Sequence, residues 1–259
     1  MEIDLYQVDA FARRPFEGNP AAVCPLTEWL DDATLQAIAA ENNLSETAFF
    51  VREGAGYRLR WFTPVAEVDL CGHATLASAW VIFNELGEAG ETLRFATRSG
   101  ELRVSRTEEG LAMDFPAKRP EPMADPEPVL AALGLAQGDV VMTDDILVAV
   151  EDETTIASLV PDMAKLATLP GRGVAVSAPG RDFDFVSRWF GPKVGVEEDP
   201  VTGSAHTSLV PYWAGRLGKT KLTARQGGAR QGQLTCEWVG DRVILIGQVA
   251  PYLRGTIRL

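Results

Sequence analysis

Two stretches of this chain gather the side chains that proton chemistry needs. In Asn43-Leu44-Ser45-Glu46-Thr47-Ala48-Phe49 the acid Glu46 enters an apolar run from a polar turn. A carboxyl group pressed against apolar surface has its neutral form favoured, which suits it to take and return a proton at carbon. The second stretch, Glu198-Asp199-Pro200-Val201-Thr202-Gly203-Ser204-Ala205-His206, is dense in acid, hydroxyl and imidazole groups. Val68-Asp69-Leu70-Cys71-Gly72-His73 offers a further imidazole and a thiol. Gly72-His73-Ala74 and Gly203-Ser204-Ala205 each open a helix. Unpaired N–H groups there, with glycine to let a ligand approach, suit an anion such as a carboxylate. Each feature also has a plain structural reading: Glu46 as a turn residue, Asp199 as a helix cap, His73 as a satisfied core histidine, and the glycines as turn formers.

These stretches correspond to one another because the chain contains itself twice. Trp61-Phe62-Thr63-Pro64, Cys71-Gly72-His73-Ala74 and Glu85-Leu86-Gly87 return as Trp189-Phe190-Gly191-Pro192, Thr202-Gly203-Ser204-Ala205 and Arg216-Leu217-Gly218. The repeat distance is about 130 residues, too long for a solenoid and suited to two duplicated domains. The expected division is 1–116 and 117–259, with the last strand free to return to the first domain. Like domains are expected to face each other across a cleft, with chemistry where both copies carry polar residues.

Local patterns supply the scaffold. Ile3 to Phe11 and Tyr57 to Phe62 alternate as strands, and Asp31 to Asn42 reads as a helix with acids in its first turn. Ala74 to Asn84 has no charge and is apolar on every side of the wheel, so it must be wrapped all round. Its counterpart, Ser204 to Gly215, carries Pro211, which predicts a kink. A helix is also expected near Ile156 to Ala167. The resulting class is α+β: two pseudo-symmetric domains, each a curved, mostly antiparallel sheet around a central buried helix.

Composition narrows the function. A net charge of −12 over 259 residues argues against nucleic-acid and anionic-membrane surfaces, which call for a cationic footprint. A small anionic metabolite can still be held by local donors. Three cysteines without paired spacing, and no leader-like segment, point to a reducing, cytoplasmic setting. With two histidines and no cysteine cluster, no metal site is expected.

Taken together, Asp9-Ala10-Phe11, Gly18-Asn19-Pro20-Ala21-Ala22-Val23, the Glu46 motif, Trp61-Phe62-Thr63-Pro64, Val68 to Thr75, Glu198 to His206 and Arg225-Gln226-Gly227 resemble the PhzF-like phenazine-biosynthesis family, in order and over nearly the whole chain. The resemblance implies the diaminopimelate-epimerase-like fold and an isomerase without metal or organic cofactor, in a family whose members are often homodimers. It implies Glu46 as the acid/base that moves a proton between carbons of one carboxylated, often cyclic, substrate. It further implies His73, Asp199 and Ser204 as polar partners, with Asn19, Gly72, Gly203, Gln226 and Gly227 lining the substrate site. The related epimerases use two opposed cysteines. Here Cys71 stands at the first position and no thiol at the second, which disfavours a two-cysteine racemase. The alternatives are a single-base amino-acid racemase or epimerase, and a non-catalytic small-molecule binding protein on the same fold.

Overall fold

The computed structural model describes residues 1–259 and gathers them into two units, Met1–Asp114 with Ile246–Leu259, and Phe115–Leu245. The chain runs β1 (Glu2–Ala10), β2 (Asn19–Leu26), α1 (Asp32–Asn42), β3 (Glu46–Glu53), β4 (Gly56–Phe62), β5 (Glu67–Val68), α2 (Gly72–Asn84), β6 (Thr92–Thr97), β7 (Gly100–Thr107) and β8 (Gly110–Pro116). It continues through β9 (Glu121–Pro122), α3 (Glu127–Leu133), β10 (Asp139–Met142), β11 (Ile146–Ala149), α4 (Glu153–Ser158), α5 (Met163–Leu166), β12 (Val174–Pro179), β13 (Phe185–Gly191), β14 (Val196–Asp199) and α6 (Gly203–Leu217). The closing elements are β15 (Lys221–Gln226), β16 (Gly232–Val239), β17 (Arg242–Gly247) and β18 (Val249–Arg258). The fold is α+β.

In the first unit most neighbours are antiparallel: β1 with β2 and β18, β3 with β4, β6 with β7, and β7 with β8. Two pairs are parallel, β2 with β3 and β4 with β6. Parallel neighbours need a crossover, and α1 and α2 lie on the connections that supply one. Asp31 starts α1 by accepting from the Thr34 N–H at 3.0 Å, and Asn43 ends it in the left-handed conformation. The apolar α2 is buried from His73 to Ala79 and again from Val81 to Phe83, packed on β1, β2, β3, β7 and β18.

The second unit repeats this plan. β11 pairs parallel with β12, β12 antiparallel with β13, and β13 parallel with β15. Its central helix, α6, runs through Pro211 as one continuous element. Proline has no N–H to give the Thr207 carbonyl one turn earlier, and the Lys118 N–H takes that acceptor at 2.9 Å. The helix expected over 156–167 is two short ones, α4 and α5. Pro161 falls between them, and Asp152 and Asp162 each cap a separate start.

Candidate active site

In the first unit the parallel register sets Glu46, at the start of β3, opposite Ala21 of β2, while Asn19 opens β2. The turn before Asn19 requires glycine: Gly18 has φ +64°, and a Cβ there would lie 2.0 Å from the Ala10 carbonyl oxygen. His73 enters from the first turn of α2, and its Nε2 lies 3.0 Å from Glu46 Oε2. These two buried atoms face each other without the alignment of a hydrogen bond, and neither has another partner. Contrary to a carboxyl set against apolar surface alone, Glu46 is thus paired in charge with an imidazole.

On the other side of the ring, His73 Nδ1 lies 3.2 Å from Asn19 Nδ2 and 3.5 Å from Cys71 Sγ. An amide nitrogen only donates, so with Asn19 so placed Nδ1 accepts and the neutral ring carries its proton on Nε2, toward Glu46. A second proton on the ring requires Asn19 to turn its carbonyl oxygen to Nδ1. Burial opposes the charged ring, but Cys71 and Glu46 more than offset it, so the His73 pKa stands well above 6.5. Burial pushes the Cys71 thiol up to about 11. The thiol is therefore neutral near pH 7, and the charge that holds the His73 proton is the Glu46 carboxylate. Cys71, His73 and Glu46 each bring a ligand atom within 4.8 Å of the others, a grouping that sequence spacing does not reveal.

In the second unit Gln226 organises the loop before α6. Its Oε1 accepts from the Thr202 N–H at 2.9 Å, and its Nε2 donates to the Asp199 carbonyl at 3.0 Å and to Thr202 Oγ1 at 2.9 Å. Thr202 Oγ1 in turn donates to Asp199 Oδ2 at 2.6 Å. Gln226, expected to line the substrate site, is buried and acts here as a brace for the loop. Gly227 has φ +117°, and a Cβ there would lie 2.0 Å from the Arg230 carbonyl oxygen, so backbone geometry alone demands glycine. Gly203 differs: an added Cβ would meet only Leu245 Cδ1, at 3.7 Å. Packing does not force glycine there. Gly72 occupies the matching first position of α2.

Ser204 Oγ accepts from Arg172 Nη2 at 2.7 Å. Arg172 is clamped by Asp145, through Nε–Oδ1 at 3.0 Å and Nη2–Oδ2 at 2.6 Å, and its guanidinium lies 5.3 Å from the Trp189 ring centre. The indole N–H of Trp189 also reaches Asp145, at 3.2 Å. This cation beside the start of α6 is absent from the sequence reading. The signal that could have found it is the repeat: Ala48 stands opposite Trp61, and Ala175 opposite Trp189. Two residues back, Glu46 corresponds to Gly173, directly after Arg172. The His206 ring, by contrast, is structural. Its Nδ1 lies 3.0 Å from the Thr202 carbonyl oxygen, and burial lowers its pKa to about 4.

Comparison with known proteins decides the kinship. The phenazine biosynthesis-like protein family matches residues 8–252. The chain belongs to this family. It is 66% identical over 259 residues, all of both chains, to a Pseudomonas aeruginosa protein named an uncharacterized isomerase. A Halalkalibacterium halodurans protein of the same description is 43% identical over 265 residues, again 100% of each chain. The crystal structure of an Enterococcus faecalis phenazine biosynthesis protein of the PhzF family superposes with a TM-score of 0.98 at 49% identity, covering 100% of both. This family member is an isomerase with a PhzF, diaminopimelate-epimerase-like fold. No helix in it is long and apolar enough to cross a membrane.

Proposed function

We propose that the chain moves a proton between carbons of a small carboxylated metabolite, using its own side chains, with Glu46 as the acid/base. The observation that carries this reading is the approach of Glu46 Oε2 to His73 Nε2 at 3.0 Å, both buried and neither committed to an aligned hydrogen bond. A carboxylate in that state can accept a proton from an acidic C–H, while the imidazole stabilises the charge left on the substrate. Asn19 holds the ring from its other side. Ser204, Asp199, and the N–H groups after Gly72 and Gly203 are assigned to the same reaction as polar partners and anion-holding groups. The Cys71 thiol, neutral near pH 7, is a poor base for this task, which favours the carboxylate over a thiol racemase.

The three cysteines are free and buried, in keeping with a reducing cytoplasm, and a homodimer measurable by sedimentation belongs to the same proposal. The decisive experiment incubates the protein in deuterium oxide with a panel of cyclic and open-chain carboxylated metabolites, following deuterium at carbon by NMR. A substrate that gains deuterium with wild type and not with Glu46→Gln supports the assignment. Equal exchange in both proteins sinks it.

A further inference from the structure

The buried Cys71 thiol sits at the N-cap of α2 without the side-chain capping bond usual at that position. It lies 3.5 Å from His73 Nδ1 instead. A sulfur at about 2.3 Å and an imidazole nitrogen at about 2.0 Å from one tetrahedral ion stand roughly 3.5 Å apart. The observed separation is already that of two ligands on a shared cation. On the far side of the ring, Nε2 lies 3.0 Å from Glu46 Oε2, the arrangement by which a carboxylate orients a metal-bound histidine. His73 is 5% exposed, and its Nε2 has no aligned hydrogen-bond partner.

We propose that Cys71 Sγ and His73 Nδ1 form a binding site for a thiophilic divalent cation of the Zn2+ type, with Glu46 orienting the ring. Binding releases the thiol proton of Cys71 and the second ring proton of His73 to solvent and displaces the Asn19 side chain from Nδ1; nothing is oxidised or reduced. With two protein ligands, and water completing the shell, the ion binds more weakly than in a four-ligand structural site and exchanges. An ion so placed occupies His73 and inhibits the isomerase, a consequence that rests on the reading of Glu46 and His73 as the acid–base pair. The binding itself does not.

The test titrates Co2+ into the reduced full-length chain. One equivalent should give a sulfur-to-cobalt charge-transfer band that Zn2+ abolishes. Cys71→Ser should lose the band, Cys24→Ser should keep it, and Glu46→Gln should weaken Co2+ binding about tenfold through loss of the orienting carboxylate. Absence of the band in wild type, or its survival in Cys71→Ser, overturns the proposal. Should Cys71→Ser fail to fold, cadmium NMR of the wild-type chain decides: a shift typical of mixed sulfur and nitrogen ligands supports the site, and an all-oxygen shift rejects it. Deuterium exchange without metal is read separately, so failure of either idea is distinguishable from failure of the other.

Discussion

The starts of α2 and α6 are the same piece of backbone fitted with different chemistry. Thr75 Oγ1 donates to the Cys71 carbonyl at 2.6 Å, and His206 Nδ1 makes the matching contact to the Thr202 carbonyl at 3.0 Å. A hydroxyl and an imidazole thus do one job, each bonding back four residues to the residue before its helix. Two residues earlier the roles part. His73 faces a carboxylate, whereas Ser204 is held by a guanidinium. At the Glu46 position the second unit has Gly173, where a Cβ would lie 2.3 Å from the Trp189 ring. Duplication preserved the contacts that hold the scaffold and left room for an acid in one copy only. Packing, and not merely the loss of a residue, keeps a second carboxylate out.

The largest test of this asymmetry is catalytic. Glu46→Gln should lower proton exchange by about 10²- to 10⁴-fold, the usual contribution of a positioned acid/base, read on any substrate that exchanges with wild type. An equal loss from substituting Asp199 with Glu46 intact would break the one-sided picture.

Next in size, Gly173→Ala forces a methyl group into the indole of Trp189 and should cost about 1–3 kcal/mol, measured by urea unfolding. A neutral result would mean the glycine is not sterically required. The His206 imidazole gives a comparable effect that depends on pH. His206 is neutral when folded, with its pKa lowered to about 4, so below about pH 6.5 the unfolded chain binds the extra proton. Stability from this residue is full above that pH and is lost as pH falls toward 4, by about 3 kcal/mol in all. His206→Thr, the residue its counterpart carries, should flatten that part of the acid limb. The smallest effect is that of Thr75→Val, which removes one back-bond and should cost about 1 kcal/mol at any pH between 5 and 8.

Much of this was legible in the residues. The uncharged stretch from Ala74 to Asn84 could only be a wrapped helix, and Asp31 with Thr34 marked the start of α1. Glu46 and His73 stood out because their motifs place polar groups in apolar runs, and the fold brings them together. Arg172 and Asp145 did not stand out, since a charged pair separated by 27 positions in two ordinary loops has no local signature. The bracing role of Gln226 was hidden for a similar reason: its three partners inside the protein come from residues more than twenty positions away. A last strand was expected without the bounds of β18, whose four consecutive positions from Pro251 to Arg254 are exposed, so no apolar alternation marks them.

That strand also orders events on the ribosome. β1 pairs with β18 from Glu2 opposite Arg258 to Ala10 opposite Val249, a closure spanning almost the entire polypeptide. The half bearing Glu46 and His73 is mostly translated first, yet its β1–β18 ladder waits for a strand that follows the whole second unit. Until β18 is made, β1 has β2 on one edge only, and its other edge stays open beside the segment that carries Glu46 and His73.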